Sequence, residues 1–250
     1  MTDQPRDSHQ WYDPDHAHDW TRRARAREEE RLPRLKMLAG FIPFERDEAI
    51  SVLDIGAGYG LLSQVILEEF PRCQMVWHDF SEVMETYAHQ HLERFEGRVH
   101  YVRSDLANPD WGRTLGGPFH AVVSAIAIHD VHPQQRIPFI YREVFSMVKE
   151  GGCFLNSEYV GPSGPLTRKL YHLHQLLSRQ EQSRQRGIEK SLVELEEEWR
   201  SRDMAHMQQA SLESQLPWLR QAGFDEVDCL WKDIGQAIIG GYRLSGSRSN

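Results

Sequence analysis

The sequence predicts an α/β fold: a mostly parallel sheet of seven strands with helices on both faces and a helical insertion. Three observations predict it. From residue 50 onward, short apolar runs alternate with helix-length amphipathic stretches, the rhythm of parallel strands joined by crossover helices. The first apolar run ends in a cluster of glycines that opens a helix. One stretch, 161–210, breaks the alternation and carries helical periodicity alone.

The elements follow in order. Residues 1–18, rich in Asp, His and Pro and without periodicity, read as a flexible leader. Residues 19–49 read as a helical cap. Its helix runs from 19 to 41 and is broken or kinked by Pro33, and Leu32, Leu35, Met37 and Leu38 give its second part a buried side. The core, 50–160, holds strands at 50–55, 73–77, 99–102, 119–126 and 152–159, with helices at 61–70, 82–95 and 134–148. In the insertion, 161–210, Leu166, Leu170, Leu173 and Leu177 recur on one helix face, and Leu192, Leu195 and Trp199 on a second. It reads as a lid. Residues 211–250 return to the core. Ser211 caps a helix that Pro217 bends and Gly223 closes, and strands at 227–231 and 237–242 form an antiparallel hairpin.

Composition narrows the function classes. The chain has 250 residues, enough for one domain with a sizeable core, and 40% are hydrophobic. Its formal net charge is −8, which argues against a surface built for nucleic acid. The arginines at 22–34 are interleaved with Glu28, Glu29 and Glu30, the pattern of a solvated helix face. The three cysteines, Cys73, Cys153 and Cys229, form no CxxC pair and read as small buried hydrophobes rather than disulfides or zinc ligands. No apolar run is long enough to span a bilayer, and the polar, acidic start has no apolar signal region. A cytoplasmic protein is expected.

The most informative segment is Val52-Leu53-Asp54-Ile55-Gly56-Ala57-Gly58-Tyr59-Gly60, a buried strand running into a glycine turn and a helix N-terminus. A dinucleotide site wants its third glycine five positions after the first; Leu61 stands there. The G-x-G-x-G pattern behind an acid instead resembles motif I of the class I, Rossmann-like S-adenosylmethionine-dependent methyltransferases. The second strand ends in His78-Asp79-Phe80-Ser81 and the third in Arg103-Ser104-Asp105-Leu106, acids at consecutive strand ends, where α/β ligands gather. Residues 117–124 resemble the family's fourth strand, Lys149-Glu150-Gly151-Gly152 the turn before its fifth, with Glu150 in place of the usual proline, and 216–224 the helix and turn before its last strands. The resemblance covers residues 50–160 and 211–243.

It implies that S-adenosylmethionine is the cofactor and that Asp54, Gly56, Ala57, Gly58, Gly60, Asp79, Phe80, Asp105, Leu106 and Ser124 bind it. Asp79 would accept from the ribose hydroxyls, and Asp105 from the adenine amino group. The acceptor side follows the fourth strand, where Ser124-Ala125-Ile126-Ala127-Ile128-His129-Asp130 contains neither the Asn/Asp-Pro-Pro-Tyr pattern of amino-nitrogen methylation nor a cysteine nucleophile. His129 is the candidate general base, with packing or backbone bonding as its other reading. Tyr12, Trp20, Glu158, Tyr159, Tyr171, His172 and His174 are further polar or aromatic candidates. The cluster Asp13, Asp15, His16, His18 and Asp19 has metal-ligand residue types but no scaffold, so no metal is expected. The reading is a methyltransferase acting on a small molecule, with no nucleic-acid or membrane partner. A tRNA or protein methyltransferase, a non-catalytic cofactor-binding module and a nicotinamide dehydrogenase are the alternatives. No motif names the acceptor, the atom methylated or the oligomeric state.

Overall fold

The computed structural model describes residues 11–201 and 209–246. Seven strands form one sheet: β1 (Ser51–Ile55), β2 (Gln74–Asp79), β3 (Val99–Arg103), β4 (Phe119–Ala125), β5 (Val148–Tyr159), β6 (Asp225–Asp233) and β7 (Gln236–Tyr242). Their spatial order is β3-β2-β1-β4-β5-β7-β6. All neighbours pair in parallel except at β7, which is antiparallel to both β5 and β6. Strand order reverses between β1 and β4, and the crevice beyond the strand ends at such a reversal is where open α/β sheets bind ligands.

Period-two alternation divides the strands between two core layers. Val52, Ala121, Val123, Cys153 and Leu155 feed one layer; Leu53, Ile55, Val122 and Phe154 feed the other. Helices α3 (Leu61–Glu69) and α4 (Glu82–His91) cover the first layer, and α5 (Ile137–Met147) and α8 (Leu212–Ala222) the second. Ser81 caps α4 through its side chain. Gly223 closes α8 in the left-handed conformation, as its sequence requires. Ser211 holds the N-cap position of α8, but its side chain makes no capping bond.

The N-terminal segment departs from the expected pattern. Helix α1 spans Pro14–Arg25, so residues 14–18 belong to a helix and not to a flexible leader. Asp13 supplies the missing signal: its side chain accepts from the Asp15 amide and Pro14 stands at N1. Residues 1–10 of the expected leader lie outside the described residues. The break in the cap falls at Ala26–Arg27 and not at Pro33, which lies inside α2 (Glu28–Gly40). Leu35 and Leu38 are buried as expected, whereas Met37 is exposed.

The insertion is helical, with α6 (Pro165–Gln185) and α7 (Leu192–Ser201), but its leucine stripe is not a buried face. Leu166, Leu170, Leu173 and Leu177 are 70%, 54%, 46% and 47% exposed, and Leu176 is the buried leucine of α6. Periodicity identified the helix and misassigned its inner side. The insertion is tied to the core through Tyr171, whose hydroxyl accepts from Lys232 Nζ at 2.7 Å. Residues 202–208 of the expected lid lie outside the described residues. Cys153 is buried as expected, Cys73 is buried just before β2, and Cys229 is only half-buried.

Candidate active site

A cavity opens at the C-terminal ends of β1, β2, β3 and β4, where the strand order predicts a ligand. The glycine turn forms its floor. Gly56, Gly58 and Gly60 all have positive φ, a conformation that side chains disfavour. At Gly56 the constraint is also steric: a Cβ there would sit 2.3 Å from the Ala127 Cβ. We expect Gly56→Ala to cost about 1–3 kcal/mol through backbone strain alone. A thermal melt should show this as a fall of about 2–12 °C, together with lost cofactor affinity.

Asp54, on β1, is fully buried. Its Oδ2 accepts from Ser63 Oγ at 2.7 Å, and its Oδ1 has no partner. Burial is the main reason its pKa is raised to about 7; the Ser63 bond opposes that rise and nearby Asp79 adds to it. A cation arriving in the cavity would favour the carboxylate. Asp79 ends β2. Its Oδ2 accepts from the Gly58 amide at 2.9 Å and its Oδ1 from the Ser81 amide at 2.9 Å, so one carboxylate braces both the glycine turn and the start of α4. A carboxylate has about four lone-pair positions, and those left over can accept from hydroxyl donors. Beside it, the His78 Nε2 lies 2.9 Å from Ser104 Oγ, and burial pulls the His78 imidazole down to about 4, leaving it neutral.

Of the expected cofactor residues, Asp54, Gly56, Ala57, Gly58, Asp79, Phe80, Asp105 and Leu106 line the cavity. Gly60 and Ser124 do not. Gly60 is the left-handed N-cap of α3, and Ser124 is buried with its hydroxyl donating to the Ile55 carbonyl at 2.9 Å. Both shape the site from behind.

The N-terminal cap folds over the opening. Trp11, Trp20 and Arg31 line the cavity. Tyr12 lies with its ring centroid 4.6 Å from that of Phe80, and its hydroxyl donates to Asp105 Oδ2 at 2.8 Å. Partial burial and that bond raise the Tyr12 phenol to about 12. Sequence patterns reached Tyr12 and Trp20 but missed Trp11 and Arg31, which no periodic signal connects to the glycine turn.

His129 lies in the turn after β4, buried and not itself on the cavity wall. Its Nδ1 is 2.7 Å from Glu158 Oε1, with side-chain exposures of 5% and 2%, and its backbone amide donates to Glu158 Oε2 at 3.1 Å. The register that pairs Ala125 with Ser157 brings Glu158 to this position. On the other side, His129 Nε2 is 3.4 Å from Asp130 Oδ1; Asp130 lines the cavity, and its Oδ2 accepts from Trp11 Nε1 at 3.2 Å. Burial pulls the His129 pKa down, but Glu158 and Asp130 outweigh it and raise it to about 9. The imidazole is therefore charged at neutral pH.

The remaining candidates have other partners. His172 pairs with Glu196, and Tyr171 with Lys232. No described residue of 161–210 lines the cavity. In the Asp/His cluster, Asp13 caps α1, Asp19 pairs with Arg22, and His18 Nδ1 lies 2.7 Å from the Tyr87 hydroxyl. Among the described residues no group of three His, Cys, Asp or Glu is arranged to hold a metal. The arginine run does not form a basic stripe: Arg27 pairs with Glu30, Arg25 lies over Tyr59 and Tyr87, and Arg31 and Arg34 turn inward. No helix among the described residues is long and apolar enough to cross a membrane.

Comparison with known proteins bears on the fold. Residues 52–152 match the family of the methyltransferase domain. The chain is similar to the structure of an O-methyltransferase family protein from Burkholderia thailandensis (TM-score 0.64, 17% identity, 94% of this chain and 60% of that one). It is also similar to human N-acetylserotonin methyltransferase in complex with SAM (TM-score 0.57, 16% identity, 94% and 58%). A third similar structure is an O-methyltransferase family 2 protein from Planctomyces limnophilus in complex with apigenin (TM-score 0.61, 17% identity, 92% and 62%). The chain thus spans about three-fifths of the length of these proteins. Residues 52–152 thus carry the likeness to a methyltransferase domain, and the fold is that of these similar structures, one of which is in complex with SAM.

Proposed function

We propose that the whole chain is a methyltransferase that acts on a hydroxyl of a small-molecule acceptor, with His129 as general base and Glu158 as the residue that positions it. The buried His129–Glu158 pair carries this reading, because it stands beside the cofactor cavity at the ends of β4 and β5. When bound, S-adenosylmethionine supplies a methyl group on a cationic sulfur. The glycine turn, Asp79 and Asp105 would hold it. The cavity offers what such a ligand needs: glycine backbone on its lining at Gly56 and Gly58 and an unpaired buried carboxylate oxygen at Asp54.

A hydroxyl becomes a strong nucleophile only as its proton leaves. Glu158 meets one ring nitrogen of His129, and the other, Nε2, faces Asp130, the residue that lines the cavity. The neutral imidazole can then take the acceptor's proton, and Glu158 stabilises the imidazolium that forms. A charged resting imidazole must first lose its proton, so turnover should rise with pH towards about 9. Support for a small acceptor comes from Trp11, Trp20 and Arg31 enclosing the cavity and from the names of the similar O-methyltransferases.

The test incubates the full chain at pH 8.5–9 with methyl-labelled cofactor and a panel of phenols, hydroxy acids, amines and thiols, and separately with tRNA and protein. Label should pass to hydroxyl compounds. Transfer to tRNA or protein alone would overturn the reading.

A further inference from the structure

A line of buried polar groups crosses the core layer that β5 shares with α5 and α8. Asn156 and Glu158 follow Phe154 at alternate positions of β5 and so face the same layer. Tyr141 of α5 and Gln215 of α8 are buried opposite them. The Tyr141 hydroxyl donates to Gln215 Oε1 at 2.7 Å, and Gln215 Nε2 donates to the Ala210 carbonyl at 3.0 Å. The Gly161 amide donates to that same carbonyl at 3.1 Å, and Gly161 forms a parallel bridge with Ser211. Residues 161 and 210 are the two ends of the insertion, so its foot closes on the carbonyl that Gln215 holds. The other end of the line shows in the acidity of Tyr141. Burial raises its pKa most, the Glu158 charge raises it further, and the Asn156 amide draws it back. The Asn156 amide is itself buried without a well-formed hydrogen bond among the described residues. Buried polar groups cost free energy that apolar side chains of similar shape would not. What this line provides in return is a fixed path from the foot of the insertion to Glu158.

We propose that Tyr141 and Gln215 are positioning residues that tie the foot of the insertion to Glu158 and so hold Glu158 against His129. The assignment rests on the reading of His129 as the base. It gives the insertion a part in the reaction, although none of its described residues lines the cavity. Tyr141 and Gln215 do not line the cavity either, so both act through Glu158. The groups that face His129 are Glu158 and Tyr159 of β5 and Asp130 of its own turn. Asp130 is held from the cap by Trp11, a contact the buried line does not touch. Loosening Glu158 weakens its pull on the imidazole proton, and burial then favours the neutral ring.

The experiment follows the His129 imidazole by NMR titration of the full, ligand-free chain. The proteins are wild type, Tyr141→Phe, Gln215→Leu and Gly161→Ala, with His129→Gln identifying the signal. Gly161→Ala removes no titrating group. Its Cβ would meet the Gln209 carbonyl oxygen at 2.1 Å, so the foot must open. In all three variants the His129 midpoint should fall by about 0.5–1 pH unit, the scale of one lost hydrogen bond. With an acceptor found by label transfer, the rising limb of the pH–rate profile should move to lower pH. On its plateau kcat should fall about 3- to 10-fold, with KM unchanged. An unchanged midpoint in any folded variant of the three overturns the proposal. A lowered midpoint with an unchanged pH–rate profile upholds the positioning and overturns His129 as the base, so the two readings fail separately. Thermal melts separate loss of fold from loss of position. The three substitutions lie on different elements, so one variant that does not fold leaves the other two to decide.

Discussion

His129→Gln lowers kcat by about 10²–10⁴-fold, the range of a lost general base, while leaving the affinity for S-adenosylhomocysteine unchanged. Glutamine keeps a polar side chain in the turn after β4 but accepts no proton at neutral pH. The companion variant, Glu158→Gln, separates base from packing. In wild type, burial pulls the His129 pKa down, while Glu158 and Asp130 raise it to about 9. Removing the Glu158 charge favours the neutral ring, so the rising limb of the pH–rate profile should move towards lower pH. The sign for stability is the reverse. A folded-state pKa above the unfolded value near 6.5 contributes stability that is present below that value and lost as pH rises through about 9. Thermal midpoints of wild type should therefore fall between about pH 6.5 and 9, and the fall should shrink in Glu158→Gln. A pH profile identical in wild type and Glu158→Gln would show that the pair does not set the reactive proton.

Asp79→Ala abolishes measurable cofactor binding. The carboxylate accepts from the Gly58 and Ser81 amides, so its removal leaves two inward-facing donors unpaired as well as deleting the contacts expected to the ribose. Each lost charge-assisted bond is worth about 1.5–3 kcal/mol, and two together correspond to about 10²-fold or more in affinity. The melting midpoint of the ligand-free variant should also drop, because the glycine turn and the start of α4 lose their common brace. A variant that melts lower but binds S-adenosylhomocysteine normally would reduce Asp79 to a structural role.

Much of this site was legible before any coordinates. The segment 52–60 marked β1, its turn and the start of α3 because glycine adopts the positive φ found there at least cost. Asp79 and Asp105 could be placed because strand ends in a parallel sheet share one side. The His129–Glu158 pair was not visible as a pair, since its members are joined only by the register of β4 on β5. The cap was half legible: Tyr12 and Trp20 were suspected, but Trp11 and Arg31 reach the cavity through packing that carries no local signal. The leucine stripe of α6 misled for a related reason. Its period reports a helix, while the side that is covered is decided by α7, whose Trp199 meets His172 and Arg179 of α6.

The most direct test of the central claim is calorimetric titration of S-adenosylhomocysteine into the full wild-type chain, with NAD as the comparison ligand. The account predicts saturable binding of one S-adenosylhomocysteine per chain and none of NAD. No binding of S-adenosylhomocysteine, or binding of NAD alone, would contradict it.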